Sequence, residues 1–158
     1  MLCVGKLREP GARLLVDEYA KRLRRFLTFE EIEVPDLPEP RGAHEPTPAE
    51  IRQITDTEGA ELFKRIRPGD ALAALTIGGE RFTSEGFAGW LSKRAAESSK
   101  RLCFMIGGSL GLSPSVEEKA RWQLSLSSMT LTHSLARVVL LEQLYRACKI
   151  NAGERYHK

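Results

Sequence analysis

A chain of 158 residues, 42% hydrophobic and 28% charged, is the size of one domain with a sizeable core, and its composition excludes a disordered or fibrous protein. No apolar run approaches the roughly 20 residues a bilayer-spanning helix needs, and the first residues lack a signal-peptide pattern. The net charge of +3 is too small to mark a nucleic-acid binder by itself.

Met1 to Val4 reads as a short strand ended by Gly5. Leu15, Tyr19, Leu23 and Phe26 recur at helical spacing and predict an amphipathic helix over Gly11–Phe26. Phe29 to Val34, with Ile32 and Val34 alternating, predicts a second strand. The stretch PDLPEPRGAHEPTP holds five prolines in fourteen residues and must be an exposed loop. It closes in a helix start: Thr47 as N-cap, Pro48 at the first position and Glu50 completing a capping box. That helix runs to about Ile66, where Arg-Pro-Gly-Asp stops it.

Asp70 to Ile77 is a continuous apolar run of strand length, as expected where both faces of a sheet are covered. Gly78-Gly79 is expected to break it. Thr83 caps a helix reaching about Ala96, and Arg101 to Ile106 is a fourth buried strand. After Gly107-Gly108-Ser109-Leu110-Gly111, Ser113-Pro114 opens a short helix with Glu117 and Glu118 in its first turn, where acids suit the helix dipole. Trp122 to Ser127 is the fifth strand, and the last helix runs from about Ser134 to Ile150.

This alternation predicts a single α/β domain over residues 1–158 with a mainly parallel sheet of five to six strands. Ligands in such sheets bind beyond the carboxyl ends of the strands. Three segments fall there: Gly78-Gly79, Gly107–Gly111 and Ser127–Thr132. The glycine loop is neither a dinucleotide fingerprint nor a phosphate loop, because its spacing is Gly-Gly-x-x-Gly and no lysine opens the helix. Backbone donors, small side chains and the nearby Met129 and Leu131 suit an adenosine-like ligand better than a polyphosphate. His44, His133 and His157 have no ligand spacing and there is no Cys-x-x-Cys, so no metal is expected. No Gly-x-Ser-x-Gly elbow points to a serine hydrolase. Cys3, Cys103 and Cys148, odd in number and widely spaced, read as reduced thiols of a cytoplasmic protein.

The charge is unevenly spread. Gly11–Phe26 nets +3 and His133–Lys158 nets +3, so the remainder nets −3. The two basic clusters could meet as one anion-binding face or remain two solvated helix faces. Arg137, alone in apolar sequence, must reach an anion, a carboxylate or a carbonyl.

The set IGGSLGLSP at 106–114, SLSSMTLTHSLARVVLLEQLYRA at 125–147 and GERYHK at 153–158 resembles the ribosomal large-subunit RNA methyltransferase H family, of the SPOUT class. VGK at 4–6, EYAKRL at 18–23, Glu58-Gly59 and SEGFA at 84–88 extend the resemblance over nearly the whole chain. It implies a homodimeric enzyme that uses S-adenosylmethionine to methylate N3 of a pseudouridine in 23S ribosomal RNA on assembled ribosomes, with no membrane or metal. It also implies a deep trefoil knot formed within about residues 70–158, which periodicity does not reveal.

Matching positions make Leu75, Gly107 and Leu126, Ser127, Ser128, Met129, Thr130 and Leu131 the cofactor contacts. A side chain at Gly107 would then fill space the ligand needs. His157, His133 and Arg137 are the candidates for proton removal or a positive field. Arg22, Arg137, Arg155, Tyr156, His157 and Lys158 are the candidate RNA contacts. The last helix is expected to face its own sheet on one side and a partner's copy on the other. Two positions depart from the family: fewer residues precede VGK, and Thr132 stands where proline is usual. The competing readings are a SPOUT enzyme acting on transfer RNA and a non-catalytic ribosome-associated RNA-binding module.

Overall fold

The computed structural model describes residues 1–39, 45–97 and 100–155. Strands and helices alternate as β1 (Leu2–Val4), α1 (Pro10–Leu23), β2 (Ile32–Val34), α2 (Pro48–Phe63), β3 (Ala71–Arg81), α3 (Ser84–Glu97), β4 (Leu102–Ile106), α4 (Pro114–Lys119), β5 (Trp122–Ser125) and α5 (His133–Asn151). The strands form one sheet in the order β2-β1-β4-β3-β5, and every neighbouring pair is parallel.

The apolar runs are continuous because side chains alternate across a strand and both faces here are covered. Cys3, Ala73, Phe104, Ile106 and Leu124 pack on one face with Val16 and Leu23 of α1, Phe87 of α3, and Leu140, Leu141 and Leu144 of α5. Leu2, Val4, Val34, Ala74, Cys103 and Met105 pack on the other with Leu62 of α2 and Val116 of α4. Local signals hold where they are self-contained. Thr47 and Glu50 form the reciprocal capping box, Thr83 Oγ1 accepts from Gly86 N–H at 3.0 Å, and Ser113 caps α4. Thr132 is the N-cap of α5, its Oγ1 accepting from Leu135 N–H at 3.3 Å.

The expected break at Gly78-Gly79 does not occur. β3 continues to Arg81, and the glycines lie where its pairing with β5 slips: Leu75 and Glu80 both register with Leu124. A Cβ on Gly79 would lie 2.6 Å from the backbone N and C of Leu124, so the missing side chain admits the neighbouring strand at a bulge.

The last helix is flanked by two helices of its own chain. α5 packs between α1 and α3 and against β4, so its buried stripe of Ala136, Leu140, Leu141, Leu144 and Ala147 is enclosed within one chain. Leu135, Val138, Val139, Glu142 and Arg146 form a more open face.

Arg137 projects from α5 into the junction of β1 and β2 and is 0% exposed. Its Nη2 donates to the carbonyls of Val4 (3.1 Å) and Gly5 (2.6 Å), and its Nη1 donates to Glu33 (2.6 Å) and Glu31 (3.2 Å). The requirement read from the sequence, a carboxylate or carbonyl partner, is met by both. Arg13 of α1 donates to the same two carboxylates, and Leu7 N–H donates to Glu33 at 2.8 Å. Burial pushes the Glu33 carboxyl up, but Leu7 N–H and the Arg137 guanidinium outweigh it and hold the group below its usual 4.5. A carboxylate with a depressed folded value stabilises fully above its unfolded value and loses that contribution as pH falls through the folded one. Arg137→Met, which takes the side-chain donor from the Val4 and Gly5 carbonyls and the buried one from both carboxylates, leaving them Arg13 and Leu7 N–H, is expected to cost about 3–5 kcal/mol in urea unfolding at neutral pH. The loss relative to wild type should shrink in acid, where Glu33 is protonated in both proteins; a loss that does not change with pH would mean that packing, not charge, carries it.

Candidate functional site

The carboxyl ends of β4 and β5, with the middle of β3 between them, carry the expected cofactor residues. Leu75 lies just before the β3 bulge, Gly107 follows β4 directly, and Leu126–Leu131 follow β5. The glycine loop closes on itself: Gly111 N–H donates to the Gly108 carbonyl at 3.2 Å, and Gly111 adopts φ +85°, a conformation natural to glycine. A Cβ on Gly107 would overlap the carbonyl group of Gly111 and lie 2.7 Å from Leu112 N. Gly107 is thus required by the turn itself, and a side chain there would disturb the loop whatever space a ligand takes.

The segment after β5 is shaped by serine. Buried Ser125 donates to the Ser127 carbonyl at 2.9 Å, and Ser127 Oγ accepts from Met129 N–H at 2.9 Å. These bonds form a tight serine turn and leave Met129 74% exposed. Beside it, a hollow of about 350 Å³ opens between the ends of β3 and β5, the start of α3 and one side of α5. Leu75, Leu126, Phe82 and Leu140 give it apolar walls, and Ser84 and Gln143 give it polar ones, with Ser84 Oγ donating to Gln143 Oε1 at 3.2 Å. A hollow of this size and mixture, next to loops rich in backbone donors, fits a small ligand with a flat apolar part and a few polar groups. Of the expected contacts, Leu75 and Leu126 line it, whereas Gly107 sits on the adjoining strand end.

Exposed apolar surface gathers at the same end. Leu14, Leu15, Leu37, Ile77, Met129 and Leu135 are the large hydrophobic side chains exposed among the described residues. Each lies past a strand's carboxyl end, in the first turns of the helix that follows, or on the outer part of β3. Exposed patches of this kind mark ligand or partner surfaces. The larger cavity, about 640 Å³ and lined by Phe29, Leu91, Arg94, Arg101, Phe104 and Cys148, opens at the opposite, amino end of the strands. It has no glycine loop and lies away from the crevice where parallel sheets bind ligands.

His133, half-buried, opens α5. The neighbouring Ser134 Oγ donates to Glu9 at 2.8 Å, tying the β1–α1 connection to the start of α5 and holding the exposed Glu9 carboxyl below its usual value. That connection also carries Lys6 and Arg8, both exposed. The sequence reading passed over these cations, although Lys6 belongs to the VGK motif. Arg137 is different: its guanidinium is enclosed and already engaged, leaving no surface for RNA, so a direct contact there is not what this arrangement provides.

The two basic clusters do meet. Tyr145 of α5 lies against Tyr19 and Phe26, Arg22 sits over the rings of Tyr19 and Tyr145, and Arg25 pairs with Glu154 at 2.7 Å. Carboxylates answer several of these cations, with Arg22 on Glu18 (2.7 Å), Arg146 on Glu142 (2.6 Å) and Lys149 on Glu154. Lys21, Arg24 and Arg155 are exposed. Tyr156, His157 and Lys158 lie outside the described residues.

Residues 1–157 match the family described as "Predicted SPOUT methyltransferase". The chain is 46% identical over 158 residues to a ribosomal RNA large subunit methyltransferase H of Bifidobacterium animalis subsp. lactis (strain AD011), covering 100% of this chain and 98% of that protein. It is 42% identical over 160 residues to the protein of the same description from Symbiobacterium thermophilum, with the same coverage. Among solved structures, a probable methylase family protein from Haemophilus influenzae Rd KW20 has the same fold, with a TM-score of 0.51 at 11% identity over 99% of this chain and 69% of that one. With glycine loop, serine turn and hollow all at the carboxyl ends of one parallel sheet, the chain belongs to the SPOUT methyltransferase family.

Proposed function

We propose that this enzyme uses S-adenosylmethionine to methylate N3 of a pseudouridine in 23S ribosomal RNA on assembled ribosomes, working as a homodimer in the cytoplasm. The observation that carries the reading is the coincidence at one sheet end of the glycine loop, the serine turn and the exposed apolar residues, in a chain 46% identical to a ribosomal RNA large subunit methyltransferase H. The knot implied by the family falls within about residues 70–158 in this reading.

Leu75, Gly107 and the segment Leu126, Ser127, Ser128, Met129, Thr130 and Leu131 hold the cofactor, its flat base against the apolar walls and its polar groups on loop backbone. When bound, S-adenosylmethionine supplies an activated methyl group on a sulfonium, so no metal is required. The chain orients the RNA base in line and removes the imide proton. His133 at the head of α5 and His157 in the tail are the candidate bases. Arg137 acts from within, as a fixed positive charge beneath the start of α5. Tyr156 stacks on the extruded base, and Arg22, Arg155 and Lys158 face phosphate, joined by Lys6 and Arg8. Leu14, Leu15 and Leu135 support an isologous dimer contact at the open side of α1 and α5.

Mass spectrometry of 23S RNA after incubating intact ribosomes with the protein and labelled cofactor tests the reading, and an N3-methylated pseudouridine is expected. Label appearing in transfer RNA alone would favour the rival substrate, and no label at all would favour a binding module. Gly107→Val is expected to abolish cofactor binding in calorimetry through displacement of residues 111 and 112, with the thermal transition lowered but still cooperative. Removing Tyr156–Lys158 should leave cofactor affinity intact while sharply lowering ribosome methylation and reducing the salt slope of RNA binding. His157→Ala at saturating ribosomes should slow single-turnover methylation by about 10²–10⁴-fold if His157 is the base; a wild-type rate would pass that role to His133. Sedimentation at micromolar concentration should give a dimer, and a monomer would remove any site shared between subunits.

A further inference from the structure

Beneath the glycine loop lies a carboxyl group that neither the proposed cofactor contacts nor the RNA contacts account for. Glu58, in the middle of α2, is 4% exposed. Its Oε1 accepts from the Leu37 N–H at 2.9 Å, which fixes the root of the proline-rich connection after β2. Its Oε2 is buried and has no hydrogen-bond partner among the described residues. Both oxygens face Gly108: a Cβ placed there would lie 3.3 Å from Oε2, 3.5 Å from Oε1 and 3.1 Å from Val4 Cγ1. Behind it, Gly59 lets α2 sit against Ser113 and Val116, since a Cβ there would come within 2.7 Å of Ser113 Oγ. The Glu58-Gly59 pair therefore docks α2 under the loop with one residue and presents a carboxyl to it with the other.

A buried carboxylate oxygen without a donor is costly to leave so. No side chain at Gly108 stands between Oε2 and the loop backbone, and the donors that backbone carries are the N–H groups of residues 108–110. We propose that Glu58 is the positioning residue of the cofactor loop. In the ligand-bound arrangement a backbone N–H of residues 108–110 turns to Oε2, so that one carboxylate holds the glycine loop and the root of the proline-rich connection together. The groups facing it are Val4 at the end of β1, Asp36 at the end of β2, and the loop, which has no titratable side chain from Gly107 to Ser113. Burial first, and the Asp36 carboxylate as well, push the free carboxyl above its usual 4.5. Accepting a second N–H favours the ionised form, so cofactor binding releases a proton and strengthens as pH rises through the raised value.

This inference rests on the placement of S-adenosylmethionine at the glycine loop. Calorimetry with S-adenosylmethionine in two buffers of different ionisation enthalpy reads proton release from the unaltered protein. Release is expected once the pH is low enough to protonate the free carboxyl, with affinity weakening by up to about tenfold for each pH unit below the raised value. Glu58→Gln keeps the acceptor for Leu37 N–H but offers the loop an amide donor. It should bind the cofactor about tenfold more weakly near neutral pH, show no proton release, and unfold at the wild-type temperature or above, because a buried charge is gone. Binding by the wild type without proton release, or a Glu58→Gln protein that matches wild type in affinity and pH profile, would overturn the role. So would an affinity loss that only tracks a fall in melting temperature. Failure of the wild type to bind S-adenosylmethionine at all would instead sink the cofactor reading itself.

Discussion

The contact on which the rest of this structure depends is the one Arg137 makes with the carbonyls of Val4 and Gly5 and the carboxylates of Glu31 and Glu33. A fully buried guanidinium is tolerable only where its donors are matched. Here Nη1 and Nη2 are matched, while Nε has no partner among the described residues, and the matched pair ties α5 to β1, β2 and, through Arg13, α1. That fixes the N-terminus of α5, with Thr132, His133 and Ser134, beside the strand ends where Gly107 and the serine turn lie. An apolar residue at 137 could fill the volume but could not set this position so narrowly.

With that anchor in place, each element of the proposed site has a separate physical support. The glycine loop holds its shape because nothing larger than hydrogen fits between Gly107 and Gly111. The loop after β5 is held by the hydroxyls of Ser125 and Ser127. The β3 bulge, admitted by Gly79, turns the strand past Leu75 and leaves Ile77 at the surface. Methyl transfer demands placement more than acid–base power, and a site built from backbone and small side chains on a rigid sheet suits that demand.

Much of this was legible because its causes are local. The capping box at Thr47 and Glu50, the caps at Thr83 and Ser113 and the continuous apolar strands are written within a few residues of where they act. The carboxyl-end loops follow from the sheet being parallel. What was misread depends on distant partners. Gly78-Gly79 looks like a stop until Leu124 is seen beside it, and the apolar stripe of α5 gives no sign that α1 and α3 are the helices flanking it. Arg137 announced the kind of partner it needed but not that Glu33 and Gly5 would supply it. Glu58 gave no signal of burial, being one acid in a helix of mixed polarity. The Ser84–Gln143 pair across the hollow joins two motifs that lie 59 residues apart, too far for any pattern to link them.

The molecule offers a choice between its two ends. The amino-end cavity is larger and more apolar, while the carboxyl end has the glycine loop, the serine turn and the exposed hydrophobic residues. Volume favours the first; backbone donors and the geometry of parallel sheets favour the second. Amide hydrogen exchange with and without S-adenosylmethionine decides between them directly. Protection concentrated in residues 75–79, 107–111 and 126–131 is the expected result, and protection confined to the segments around Phe29, Arg101 and Cys148 would contradict the account.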